Sequence, residues 1–184
     1  GEVKLRITAR SKNELEARNI INPVKEKLKK EFSKFIFGEN DDSLSSVLIK
    51  ELIKRKESLV FAESCSGGLL SSSITAIPGS SQVFKGSIIS YSNDLKQSLL
   101  NIPENLIKKF GAVSEEVAET MAINAKEKLN SDWSIAISGI AGPSGGNKEK
   151  PVGLIYISIA GPNNHITNIK KIFSSTRNRI EIQR

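Results

Sequence analysis

Two stretches of the chain, Phe61-Ala-Glu-Ser-Cys-Ser-Gly-Gly-Leu69 and Ser138-Gly-Ile-Ala-Gly-Pro-Ser-Gly-Gly146, place small polar side chains and paired glycines just after apolar runs. The first has three readings. A helix opening near Gly67 would point free amides and a positive dipole end toward Ser64–Gly68, making an anion cradle. Alternatively Ser64 or Cys65 is a nucleophile held on a strand-to-helix turn. The third reading is a tight turn whose serines only cap the helix. The sequence leaves these open. Cys65 lacks a convincing base, because the single histidine, His165, adjoins a Gly161-Pro-Asn-Asn164 turn where a hairpin tip faces water. A small buried side chain is the expectation for this cysteine.

A hydroxyl can be activated without histidine if a lysine is kept neutral by burial or by neighbouring positive charge. The segment Pro78–Lys96 supplies the parts: Ser80 and Ser81 on a turn, Tyr91 at the end of a strand, and Lys96 one helical turn beyond Ser92. An ordinary exposed helix lysine fits the spacing equally well. The second glycine loop follows an apolar strand as the first does. If those strands are parallel neighbours, both loops open at one sheet edge, where α/β proteins bind ligands, and a phosphorylated ligand is the natural guest.

The elements that must position these residues follow from periodicity. Val3, Leu5 and Ile7 alternate with polar residues as in a half-buried strand, and Ser11-Lys-Asn-Glu14 fits a capping box for a helix running to about Phe32. Pro23 should kink or split that helix near Asn22. Phe35–Phe37 reads as a second short strand, so residues 1–39 form a strand-helix-strand appendage, and a second domain runs over 40–184. Ser43 caps a helix carrying Leu44, Val47, Leu48 and Leu52. Strands are expected at Leu59–Ala62, Gly86–Tyr91, Trp133–Ile137, Gly153–Ala160 and Ile166–Phe173. Helices are expected at Leu69–Ile77, Pro103–Phe110, after the Ser114 cap, and from Thr176 onward. The alternation predicts a layered α/β domain, and the late hairpin makes its sheet mixed.

Composition narrows the classes. The single cysteine excludes a disulfide scaffold, no apolar run reaches the roughly 18 residues of a membrane span, and the first ten residues lack the apolar core of a signal peptide, so a cytoplasmic protein with no membrane partner is expected. The formal charge of +7 is spread along the chain. Its densest run, Lys25, Lys27, Lys29 and Lys30, is interrupted by glutamates and reads as a solvated helix face. With seven Phe, two Tyr and one Trp and no stacking pattern, nucleic acid is not an expected partner.

The motifs AESCSGGLL, PGSSQVFKGSIISYSNDLK, GAVSEEVAETMA, SGIAGPSGG and KPVGLIYI, in this order, resemble the C-terminal domain of the CinA competence/damage-inducible family, the nicotinamide mononucleotide deamidases. The resemblance covers about Ser43 to Phe173. Residues 1–39 resemble the end of a KH-like linker subdomain, which in full-length members follows an N-terminal domain. It implies a three-layer α/β/α sandwich that hydrolyses nicotinamide mononucleotide to nicotinate mononucleotide and ammonia, with no metal or other cofactor. Carried onto this chain, the family's Ser/Lys pair implies Ser81 as nucleophile and Lys96 as base, with Tyr91 assisting. Ser64, Gly67, Gly68, Ser138 and Gly139 would bind substrate or its oxyanion. Where the family reads Phe-x-Gly-Asp-Arg this chain has Phe173-Ser-Ser-Thr-Arg177, with Arg177 in the place of a substrate-binding arginine. The chain also stops before the helix that usually closes the domain. A homodimer or higher homo-oligomer is implied. Two other classes stand beside this reading: a non-catalytic nucleotide-binding module in which Lys96 stays protonated, and RNA binding by the appendage, which lacks a Gly-x-x-Gly loop within residues 1–39.

Overall fold

The computed structural model describes residues 3–174 and 176–184. Gly1, Glu2 and Ser175, the last within the altered Phe173–Arg177 motif, lie outside them. The chain divides into two compact units, Gly1–Val47 and Leu48–Arg184.

The first unit is built on helix α1 (Glu14–Glu31), none of whose residues is buried. Its cap is Asn13, which accepts from the Glu16 amide at 2.9 Å; Ser11 instead donates to the Glu16 carboxylate at 2.6 Å. Asn13-x-x-Glu16 repeats the capping spacing two residues later than Ser11, and asparagine caps as well as serine. The helix continues through Pro23 with no division at Asn22. Neither expected strand forms: residues 3–10 are irregular, and Phe35 lies in a turn and is 80% exposed. Alternation records which face is apolar, but a strand also needs a neighbouring backbone. No such neighbour exists among the described residues of this unit. Lys25 and Lys29 both pair with the Glu39 carboxylate, at 2.6 and 2.5 Å, so part of the basic run is neutralised within its own unit.

The second unit follows the expected layers. Its strands are β1 (Leu59–Glu63), β2 (Phe84–Ile89), β3 (Trp133–Gly139), β4 (Leu154–Ala160) and β5 (Ile166–Ile172), in sheet order β2-β1-β3-β4-β5. β1 is parallel to both β2 and β3, and β4 and β5 continue antiparallel, which makes the sheet mixed. Every residue of β1 is buried, as a central strand covered on both faces requires. Its alternate side chains serve two cores. Val60 and Ala62 pack with Leu100, Ile102, Val117, Met121 and Ala122 on one face. Leu59 and Phe61 pack on the other with Ile49, Leu52 and Ile74.

Helix α2 (Leu44–Arg55) supplies Ile49 and Leu52, and α3 (Leu69–Thr75) supplies Ile74. The opposite face carries α6 (Glu115–Lys128), with α4 (Asn93–Leu100) and α5 (Glu104–Phe110) against it. The caps at Ser43 and Ser114 are where the sequence places them. Helix α4, capped by Ser92, is the addition that matters for the site. A last short helix, α7 (Arg179–Gln183), starts at an Asn178/Glu181 capping box. Among the described residues no helix is long and apolar enough to cross a membrane.

Candidate active site

Because β1 and β3 are parallel neighbours, the turn after Glu63 and the loop after Gly139 open at the same carboxyl-terminal sheet edge, as their sequence pattern predicts. They enclose a cavity of about 230 Å³ walled by Ser64, Cys65, Tyr91, Lys96, Ser138 and Arg179, with Asn93, Ala112, Val113, Gly139 and Ala141 completing the lining.

Lys96 is the unusual member. On α4 it shares the inward face with Leu100, four residues on, and is 2% exposed. Its Nζ lies 2.9 Å from Ser64 Oγ and 2.8 Å from the carbonyl oxygen of Ser90, with a longer contact of 3.5 Å to that of Tyr91. None of these partners is a carboxylate. Removal from water therefore dominates and holds the amine's pKa below its ordinary value of 10.5, only partly opposed by the nearby Cys65 thiol. While protonated, Lys96 donates to Ser64 Oγ; once it loses its proton it keeps two N–H bonds and a lone pair. The two carbonyls can only accept, so they take the N–H bonds and turn the lone pair toward Ser64, whose hydroxyl then donates.

This geometry replaces one assignment. Ser81 is not the serine at Lys96: it is exposed, in a 3₁₀ turn (Ser80–Gln82) leading into β2. Val83 after that turn accepts from the Leu59 amide at 2.8 Å, which fixes Ser81 at the amino-terminal sheet edge. Ser64 and Lys96 sit at the other edge, roughly 15 Å away by the length of a five-residue strand. Nearness in sequence to Lys96 misleads here, because β2 carries the chain across the sheet between them.

The expected cradle at Gly67 and Gly68 is also occupied from within. Glu63, the buried last residue of β1, accepts from the amides of Gly68 (2.9 Å), Leu70 (3.1 Å) and Ser71 (2.8 Å) and from the Ser71 hydroxyl. Gly67 donates to the Ser64 carbonyl at 3.1 Å. Burial alone would raise the Glu63 pKa, but these hydrogen bonds more than offset it and hold the carboxyl below its ordinary value of 4.5. The start of α3 thus binds the chain's own anion, and neither glycine lines the cavity. Both have positive φ, +61° and +101°, so their role is to make the turn that carries Ser64.

Arg177 does not reach the cavity; its guanidinium lies 5.2 Å from the Phe173 ring centroid. Arg179 does. It donates to Gly142 O and to the Tyr91 hydroxyl, both at 2.6 Å, tying α7 to the second glycine loop and to the residues after β2. Buried Ile182 and the Gln183 bond to Cys65 O, 2.7 Å, anchor the same helix. Tyr91 thus contacts Arg179, not Ser64, through its hydroxyl. The Asn178/Glu181 capping pattern is the sequence signal that could have located Arg179, since it fixes where α7 begins and which arginine opens it.

Cys65 is buried, and removal from water pushes its thiol up to about 11, so it is a protonated, packed side chain beside the nucleophile candidate. His165 stacks edge-on against Trp133 at 5.8 Å and does not line the cavity. Ser138 and Gly139 stand in the wall. An added methyl at Gly139 would meet the Ile155 side chain and lie 2.7 Å from the Leu154 carbonyl oxygen. Ile155 could yield, but the backbone could not. Gly139→Ala is expected to destabilise by about 2 kcal/mol or more, read as a lowered denaturant midpoint.

Comparison with known proteins agrees with this architecture. Residues 41–184 match the family model of the CinA C-terminal domain, and residues 1–38 that of the damage-inducible protein CinA KH domain. CinA-like proteins of Prochlorococcus marinus are 92% identical (subspecies pastoris) and 49% identical (strain SARG), each over the whole of this chain. The chain spans 42% and 43% of their respective lengths. Among solved structures, the competence/damage inducible protein CihA from Agrobacterium tumefaciens is similar, with TM-score 0.75 and 32% identity, over 80% of this chain and 89% of that one. A competence-damaged protein (CinA) superfamily protein from Escherichia coli gives TM-score 0.73 and 26% identity, over 83% and 90%. With family models covering nearly its whole length and close relatives throughout, the chain belongs to the CinA family.

Proposed function

We propose that the chain is an amidohydrolase that converts nicotinamide mononucleotide to nicotinate mononucleotide and ammonia, with Ser64 as nucleophile and Lys96 as general base. One observation carries this reading: a lysine amine, removed from water and without a carboxylate partner, lies 2.9 Å from a serine hydroxyl at the wall of a cavity. A module that only binds nucleotides has no use for an amine whose pKa is lowered by burial beside a hydroxyl. An acyl-transfer enzyme needs one.

In the proposed reaction Ser64 Oγ bonds to the carboxamide carbon as its proton passes to Lys96 Nζ. The resulting ammonium, still beside the former hydroxyl, is a positive charge close to the oxyanion. Collapse breaks the C–N bond, the nitrogen takes the proton from Lys96 and leaves as ammonia, and an ester to Ser64 remains. Lys96 then draws a proton from water as its oxygen attacks the ester, and that proton returns to Ser64 as the carboxylic acid is released.

Arg179 is the standing cation of the cavity. Two of its five donors are engaged by Gly142 O and the Tyr91 hydroxyl, which leaves others for an anionic phosphate. Arg179→Gln is expected to raise KM about 10- to 100-fold, the value of a hydrogen bond to a charged group, with a smaller change in kcat. Arg177→Gln, away from the cavity, should leave KM within about 2-fold. Steady-state kinetics on the two variants decides between the arginines.

The test of the whole reading is ammonia release from nicotinamide mononucleotide by the purified chain. Release should be lost in Ser64→Ala and retained in Ser81→Ala. Loss in Ser81→Ala with retention in Ser64→Ala would reverse the assignment. Binding of the nucleotide without release by the unmodified chain would favour the binding-module reading.

A further inference from the structure

We propose that Ser138 reads the nitrogen of the scissile amide: it is a specificity-determining acceptor that favours a carboxamide over the carboxylate produced from it. The inference rests on the amidohydrolase reading and adds to it the means by which the site tells substrate from product.

Ser138 ends the buried inner row of β3, is 1% exposed, and forms part of the cavity wall. Its Oγ lies 2.8 Å from the carbonyl oxygen of Ala112. A carbonyl has no proton to give, so the single hydroxyl proton of Ser138 occupies that bond. What remains for the cavity is lone pairs. With its proton in that bond, Ser138 accepts from the cavity and does not donate to an oxyanion, the role the family resemblance implies.

The commitment of that proton is held in place from several sides. The segment carrying Ala112 is tied by the Ser114 hydroxyl to Gly111 O at 2.9 Å, and by Lys150 Nζ to the carbonyls of Phe110 (2.5 Å) and Val113 (2.7 Å). Lys150 itself belongs to the stretch that returns from the second glycine loop to β4. Turning the Ser138 hydroxyl into the cavity would give up its hydrogen bond to Ala112 O.

A ligand group seated against Ser138 must then bring its own hydrogen. A primary carboxamide brings two N–H bonds. A carboxylate brings none, and its oxygen would face the serine lone pairs with no proton between them. The contact holds the nitrogen while Lys96 delivers the proton that makes it ammonia. After hydrolysis it sets the product's oxygen against an acceptor, which assists release. Sites built to hydrogen-bond an N–H discriminate strongly against groups that lack it, because the site's own polar atom is left unpaired.

The test is binding without turnover. In a Ser64→Ala background, calorimetry should show nicotinamide mononucleotide binding about 10-fold or more tighter than nicotinate mononucleotide. Adding Ser138→Ala should bring that ratio toward one, and Ser138→Thr, which keeps the hydroxyl, should preserve it. A ratio unmoved by Ser138→Ala, both ligands weakening equally, would reduce Ser138 to a structural contact and overturn the inference. Tighter binding of the acid by Ser64→Ala would overturn it as well. Should Ser138→Ala not fold, product inhibition of the unmodified chain decides: an inhibition constant for nicotinate mononucleotide at or below the KM of the amide removes the proposal. Absence of ammonia release by the unmodified chain marks failure of the amidohydrolase reading, whereas release with an amide-to-acid ratio indifferent to Ser138 marks failure of this inference alone.

Discussion

Lys96→Met is expected to lower kcat for ammonia release by about 10³- to 10⁴-fold with little change in KM, because it removes the proposed base and keeps the buried stem. The pH profile identifies the group. In the proposed reaction Lys96 can act as a base only after losing its proton, and burial lowers its pKa from 10.5. Activity should rise with pH through that lowered pKa and level off before the ordinary lysine range. The residual activity of Lys96→Met should lack this rise. Stability reports the same proton independently. Between the lowered folded-state pKa and the ordinary value, the unfolded chain holds a proton that the folded chain has released, so stability increases with pH across this window. Below it both states are protonated, and the penalty of burying the ammonium is at its full, constant value. Denaturant midpoints measured against pH should show this slope in the unmodified chain and lose it in Lys96→Met. An alkaline activity limb that survives in Lys96→Met would assign the titration to another group and remove the proposed base.

Most of the scaffold around this pair is legible in the residue pattern. The apolar run at Leu59–Ala62, the alternation of Trp133–Ile137 and the serine caps at 43 and 114 each express a local rule, and the parallel placement of β1 and β3 follows from strands separated by helices. The juxtaposition of the two glycine loops was available from the same reasoning. Which serine faces Lys96 was not, because that depends on the edge of the sheet at which each turn lies. Ser81 is 15 residues from Lys96 in sequence and Ser64 is 32, yet β2 separates the nearer one from Lys96, while β1, parallel to β2, ends with the farther one at the same sheet edge. A chain pattern carries periodicity, but the sheet edge is a property of topology. The amino-terminal unit differs in another way: Val3, Leu5 and Ile7 have strand alternation, but among the described residues they pair with no strand. In the same way the helix-start amides at Gly67–Ser71 look like a vacant anion site until the identity of the anion is known, and that anion stands one residue before Ser64.

Glu63 is therefore the residue whose replacement should disturb most. Its carboxylate, fully buried, is the cap that α3 lacks, since Gly68 at the helix start has no side chain to offer. Glu63→Ala leaves the amides of Gly68, Leu70 and Ser71 and the Ser71 hydroxyl without their acceptor; with each orphan of a fully buried group costing about 1–3 kcal/mol and these four only partly buried, a loss of roughly 3 kcal/mol is expected. Glu63→Gln is the sharper probe, because it preserves shape while turning one acceptor into a donor facing N–H groups. The pH dependence has a definite sign. The folded-state carboxyl titrates below its ordinary value, so its contribution is complete above the unfolded-state pKa and disappears as pH falls through the folded one. Acid should thus destabilise the unmodified chain more steeply than Glu63→Gln. The effect reaches catalysis because Ser64 follows Glu63 directly and the Gly67–Gly68 turn is held between β1 and α3. Displacement of a nucleophile by about 1 Å can cost 100-fold in rate, so Glu63→Gln should lower kcat by about that factor even at temperatures where it remains folded. A Glu63→Gln chain with unaltered denaturation and unaltered turnover would mean that the turn keeps its shape without the buried anion, and that the position of Ser64 is determined by the sheet alone.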